Sequence, residues 1–253
     1  TMESWVFCVV FLAVPSCCRL CPYPRNMWCS SAEIAEKCKV TSQCQQLTSL
    51  NPVVVQPVQF ALYYGSLCAG CHNMFAHQLD LALKEVGEIM NLTLVPYGST
   101  WVTHTGGKWV FNCLRGKEEC ARNLIQTCTI HVVKNVSVYF PFIQCMETTE
   151  GPIEEVFGKC ASHFQEIDLC GILECYNTSL GNELEHQMGL KTKALNASDF
   201  FVPWVTLNGV HTNDIQFQAE VDLVNLICQT YQGPLPVGCI GQRKRSILMS
   251  GES

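Results

Sequence analysis

The chain has 253 residues, 48% of them hydrophobic and 15% charged, with a formal net charge of −6 and a pI of about 5.6. That length suits one main domain with a small accessory module, and the acidic balance leaves no broad basic surface to neutralise nucleic-acid phosphates. Its 18 cysteines are far more than a glutathione-buffered cytosol normally carries, which points to an oxidising compartment.

In chain order, the apolar run from Trp5 to Val14 has the length of a signal-peptide core and is too short to span a bilayer. Residues 1–18 are therefore expected to be a signal peptide, although Glu3 stands where a basic residue is usual. From Cys21 to Cys44 four cysteines occur among few large apolar residues, so residues 19–50 are expected to be a small module stapled by two local disulfides, with a linker. The wide spacings and the absence of histidine among these cysteines argue against zinc, and no metal is expected. Val53 to Tyr64 is β-branched and aromatic and reads as a buried strand, with Pro57 before its core. After Cys68-Ala69-Gly70-Cys71, the residues Phe75, Leu79, Leu83, Val86 and Met90 recur at helical spacing. A second strand is predicted over Leu92–Tyr97 and a short one over Trp109–Phe111. Residues 117–198 read as a cysteine-rich helical insert. Phe201–Leu207 is a returning strand ended by an Asn208-Gly209 turn, and Phe217, Val221, Val224, Ile227 and Tyr231 mark the face of a closing helix that stops before Gly233-Pro234. The order of elements over 53–239 predicts an α/β, thioredoxin-like fold interrupted by a helical insertion. The tail 240–253, with Arg243-Lys244-Arg245, reads as a disordered end or one removed by processing.

The chemistry concentrates at Cys68 and Cys71. Dithiol exchange needs one sulfur that is a thiolate at working pH and a second close enough to resolve the mixed disulfide. A C-x-x-C at a helix start provides both, because the unpaired N–H groups and positive dipole end lower the first cysteine's pKa while the second lies one turn on. Half a zinc site or a structural disulfide are the plain alternatives, and neither accounts for the strand-to-helix placement. His72 and His77 could tune the thiolate or simply be solvated. Val202-Pro203 heads the returning strand, where the thioredoxin fold puts a cis-proline that exposes the preceding backbone to a substrate chain. Asn91, Asn135, Asn177 and Asn196 begin N-x-S/T sequons.

The runs YYGSLCAGC, LTLVPYG and FVPWVTLNG, with Cys113, Gly116, Glu119, Cys120, Asn123 and Cys128, resemble the gamma-interferon-inducible lysosomal thiol reductase family and its pattern C-Q-H-G-x₂-E-C-x₂-N-x₄-C. Leu114 and Arg115 stand where that pattern has Gln and His. The resemblance implies a thiol reductase that opens protein disulfides in acidic endosomes and lysosomes and aids their unfolding and proteolysis. It also implies no cofactor beyond the redox-active pair and an external thiol reductant. Cys21, Trp28-Cys29, Ala35, Cys38, Val40 and Cys44 similarly resemble a saposin A-type module. Outside the signal, the module and the redox pair, nine cysteines remain and cannot all pair; because the family shows a single cysteine where Cys170 closely precedes Cys175, the resemblance makes Cys170 the expected odd one, free to link a disulfide-bonded dimer. A net oxidase or isomerase of the secretory pathway and a non-enzymatic disulfide-rich binding module are the alternatives.

Overall fold

The computed structural model describes Cys21, Tyr23, Trp28, Cys29 and residues 31–50 and 55–240. The signal-peptide reading at 1–18, residues 51–54 and the tail from 241 lie outside the described residues. The chain divides into two compact units, Thr1–Val54 and Val55–Ser253. In the first, α1 (Ala32–Lys37) is capped by Ser31, whose side chain accepts the Ile34 N–H, and α2 (Thr41–Leu50) follows. Ala35 is the one buried apolar side chain among its described residues, and the disulfides Cys21–Cys38 and Cys29–Cys44 hold what so small a core cannot.

In the second unit, β1 (Val58–Tyr64) is central. It pairs in parallel with β2 (Met90–Pro96) and antiparallel with β5 (Trp204–Leu207), giving the sheet order β2-β1-β5. A parallel pair needs a crossover. Here it is one continuous helical stretch: α3 (Ala69–Asn73), a π-helical segment Met74–Leu79, and α4 (Asp80–Val86). The π-helical segment shifts the phase of the apolar stripe, so Met74, Phe75, Leu79, Ala82 and Val86 are the buried positions. Met90, expected on this helix, instead opens β2, because the helix gives way at Gly87.

After β2 a hairpin of β3 (Thr100–Thr105) and β4 (Lys108–Cys113) forms a separate sheet. The insert then runs through α5 (Lys117–Val133), α6 (Val136–Thr148), α7 (Ile153–His163), α8 (Leu169–Asn177) and α9 (Ser179–Ala194). Its own core, around Ile125, Phe142, Met146, Val156 and Ile172, is stapled by Cys128–Cys175 and Cys145–Cys160. The chain returns through β5 and turns at Asn208-Gly209, both at positive φ, so that Val210 bridges Leu207; two left-handed residues are what a tight hairpin turn requires. The last long helix is α10 (Asn213–Thr230), tied to the following segment by Cys228–Cys239. Val224 and Ile227 are buried as expected, but Phe217 and Val221 are exposed. The helix breaks at Asp222 (φ −156°, ψ 72°), which resets the phase, and Gln216 and Ala219 take the inner positions of its first half. A strand–helix–strand unit with an antiparallel returning strand and closing helix is the expected thioredoxin-like arrangement, and the insertion leaves it intact. Among the described residues no helix is long and apolar enough to cross a membrane.

Candidate active site

Cys68 is the N-cap of α3, and its Sγ accepts the Cys71 backbone N–H at 3.4 Å. Cys68 keeps 4% of its surface exposed and Cys71 none, so an incoming disulfide can reach only the first sulfur. The Cys68 thiol is lowered to about 6. Hydrogen bonding from the Cys71 side chain is the largest cause; burial opposes it, and the Cys71 N–H, the Arg115 charge and the Gly70 N–H add to it. Burial pushes the Cys71 thiol up, as does the hydrogen bond it gives to Cys68. A thiolate over a buried neutral thiol is the charge separation that thiol–disulfide exchange needs.

The facing wall is the loop before β5. The Val202–Pro203 peptide is cis, the Val202 carbonyl oxygen is 3.4 Å from Cys68 Sγ, and Pro203 is buried. A Cβ on Gly70 would come within 3.0 Å of Pro203 Cδ, so the second residue between the two cysteines must be small for the proline ring to pack against the helix start.

The motif residues of α5 hold the loop that delivers Cys68. Cys113–Cys120 joins the end of β4 to the first turn of α5, and Gly116 makes the turn between them at φ 87°. Glu119 is fully buried and accepts the Arg115 N–H and its Nη1, each at 2.9 Å; a Cβ on Gly65 would strike its Oε1. Ser66, also fully buried, donates its N–H to Asn123 Oδ1 at 3.0 Å and its hydroxyl to the Glu119 carbonyl at 3.2 Å. Asn123 Nδ2 in turn donates to the Tyr97 carbonyl at 3.1 Å, tying in the end of β2. Cys128 serves the insert instead, through Cys175.

Arg115 therefore sits at the site and favours the Cys68 thiolate. His72 Nε2 is 2.9 Å from the Ser66 carbonyl oxygen, and His77 is exposed on the same helix. Sequence reasoning missed Ser66, Gln126 and Glu147. Tyr64 donates its hydroxyl to Gln126 Oε1 at 2.5 Å and Gln126 Nε2 donates to Glu147 Oε1 at 2.6 Å, a buried chain that no spacing in the sequence signals. The sequon residues Asn91, Asn135, Asn177 and Asn196 are all exposed, Asn135 while capping α6. Cys170 is free and exposed. Among the described residues no cluster of His, Cys, Asp or Glu could hold a metal ion.

Residues 59–164 match the family model described as Gamma interferon inducible lysosomal thiol reductase (GILT). A gamma-interferon-inducible lysosomal thiol reductase of Carassius auratus is 35% identical over 244 residues, covering 95% of this chain and 94% of the relative. One of Mus musculus is 30% identical over 214 residues, covering 83% and 84%. The crystal structure of Chlamydia trachomatis DsbA aligns over 70% of this chain and 90% of its own, with 16% identity and a TM-score of 0.47, a likeness too loose to add to the topology described above. With one relative matched along nearly its whole length, and with the motif residues Glu119 and Asn123 holding the loop that leads to Cys68, the chain belongs to the gamma-interferon-inducible lysosomal thiol reductase family.

Proposed function

We propose that this protein reduces disulfides in protein substrates, with Cys68 as the attacking sulfur and Cys71 as the resolving one. The observation that carries the assignment is the asymmetry of the pair: Cys68 is lowered to about 6 and reachable, while Cys71 is held neutral beneath it. The Cys68 thiolate attacks a substrate disulfide and forms a mixed disulfide, expelling the first substrate sulfur as a thiolate. Cys71 then bonds to Cys68 Sγ and expels the second. The resulting Cys68–Cys71 disulfide is reduced again by an external thiol, and no other cofactor takes part. Val202 and Pro203 form the wall of the substrate groove. Cys113, Gly116, Glu119, Cys120, Asn123 and Cys128 are the scaffold that positions the loop and the insert.

The acidic compartments of the endosome and lysosome are the proposed site of action, supported by a first thiol lowered to about 6, so that a far larger fraction is thiolate in acid than for a free cysteine, and by the lysosomal names of the relatives. Substrate opening there would aid unfolding and proteolysis. The two stapled cysteine pairs of the first unit support a saposin A-type segment over 19–50, preceded by a signal peptide at 1–18; the catalytic domain is 53–239, followed by a tail over 240–253. N-linked glycans on the four exposed sequons and a disulfide-linked dimer through Cys170 complete the reading. The test is reduction of insulin disulfides by the purified protein at acidic and at neutral pH. Reduction in acid that is abolished by prior alkylation supports the reading. Activity that survives alkylation favours a binding module, and net disulfide formation favours an oxidase.

A further inference from the structure

Cys71 has no exposed surface, yet its proton must leave before it can attack the mixed disulfide. A buried group that the exchange chemistry leaves unused is Glu147, in the last turn of α6 with its side chain wholly buried and its charge felt at Cys71. Its Oε1 accepts from Gln126, but its Oε2 has no hydrogen-bond partner. The basic groups facing it leave that oxygen without a hydrogen bond. Arg122 spends its donors on Glu118 and on the carbonyls of Met146 and Gly151, and His72 Nε2 stands 3.6 Å away. A recess of about 460 Å³, lined by Leu67, Ala69, His72, Arg122 and Glu147 among others, opens beside it. Charged and titratable neighbours come from three elements: Tyr64 on β1, Cys68, Cys71 and His72 at the start of α3, and Glu119 and Arg122 on α5.

We propose that Glu147, with the His72-lined recess as its outlet to water, receives the Cys71 proton in the step that releases the mixed disulfide. The inference rests on the dithiol reading above. Burial holds the Glu147 carboxyl well above the usual range; Gln126 and Arg122 pull it down, while the Cys68 sulfur and Glu119 push it up. The helix C-terminus also disfavours a carboxylate there. In the reduced protein Glu147 is thus neutral and does not repel the Cys68 thiolate. Once Cys68 enters the mixed disulfide its charge is gone, and one of the forces keeping the Glu147 proton in place disappears. The carboxyl then gives that proton to water through the recess, where His72 Nε2 lies 3.6 Å from Oε2. Oε2 takes the Cys71 proton as Cys71 Sγ bonds to Cys68 Sγ. The bond from Cys68 to the substrate sulfur breaks, its electron pair leaves on that sulfur, and the released thiolate is protonated by solvent. Glu147 ends the cycle neutral, as it began.

The experiment follows release of a chromogenic aryl thiolate from its mixed disulfide with Cys68 in the full-length protein, across acidic to neutral pH. Glu147→Gln keeps an acceptor for Gln126. It is expected to slow release on the order of a hundredfold, the scale of one general base, and to flatten the pH profile, while Cys68 alkylation is no slower than in the parent. Glu147→Asp should recover part of the rate. His72→Ala, which removes the ring 3.6 Å from Oε2, should also slow release. Release by Glu147→Gln at the parent's rate and with its pH profile overturns the inference while leaving the dithiol reading standing. A slowed Glu147→Gln whose Cys68 alkylation is slowed equally also overturns it, since that marks a structural role. A parent that reduces no disulfide overturns both.

Discussion

Replacing Cys71 by alanine isolates the largest force on Cys68. The Cys71 side chain supplies the leading contribution that lowers the Cys68 thiol to about 6, whereas the backbone N–H groups of Cys71 and Gly70 and the Arg115 charge survive the substitution. A hydrogen bond to a charged group contributes about 1.5–3 kcal/mol, and about 1.4 kcal/mol corresponds to one pH unit. The Cys68 midpoint in Cys71→Ala should therefore rise to roughly 7–8, and alkylation in acid should slow by about tenfold to a hundredfold. The assay is the rate of iodoacetamide reaction against pH on the reduced protein. It is run in a Cys170→Ser background, because Cys170 is free and exposed and would add an ordinary thiol titration. A parent midpoint near that of a free thiol would refute the reasoning at its base. A midpoint that stays near 6 after the substitution would show that the helix start alone sets it.

Two further predictions concern the frame around the pair. Glu185 is fully buried, accepts the Thr127 hydroxyl at 2.7 Å, and is pushed up by burial to about 8. The folded state therefore binds its proton more tightly than the unfolded chain. Its contribution to stability, on the order of several kcal/mol, is fully present below the ordinary carboxylate value and is lost as pH rises through about 8; Glu185→Gln should make the melting temperature less dependent on pH over that window. Among the glycines, Gly65→Ala forces a methyl group onto the buried Glu119 carboxylate, whereas Gly70→Ala meets only the edge of Pro203. Gly65→Ala should accordingly cost more melting temperature, by about 1–3 kcal/mol of overpacking, and Gly70→Ala should mainly slow disulfide reduction.

The parts of the fold that depend on local pattern were legible in the sequence. The strand–Cys68–helix junction, the return at Val202-Pro203 and the Asn208-Gly209 turn each combine an apolar run with a residue type the backbone needs. That one structural cysteine is left over followed from arithmetic, and the family pattern pointed to Cys170, which is free. Phase was less legible. The π-helical segment at Met74–Leu79 and the break at Asp222 shift which residues face inward, and neither has a composition that announces it. The strand Thr100–Thr105 went unread because it is polar and exposed and gains its order from pairing with Lys108–Cys113. The buried polar residues were the least legible. Ser66, Gln126 and Glu147 come from separate elements and acquire meaning only when β1, α5 and α6 pack together.

The central claim, a division of labour between Cys68 and Cys71, is tested most directly by trapping. Reduced Cys71→Ser and Cys68→Ser variants are incubated with an unfolded, disulfide-bonded protein, quenched with acid, and scored for covalent enzyme–substrate complexes on non-reducing gels. The account predicts that Cys71→Ser accumulates mixed disulfides that thiol reductant dissolves, while Cys68→Ser forms none and reduces nothing. Equal trapping by both variants, or disulfide reduction that persists without Cys68, would contradict it.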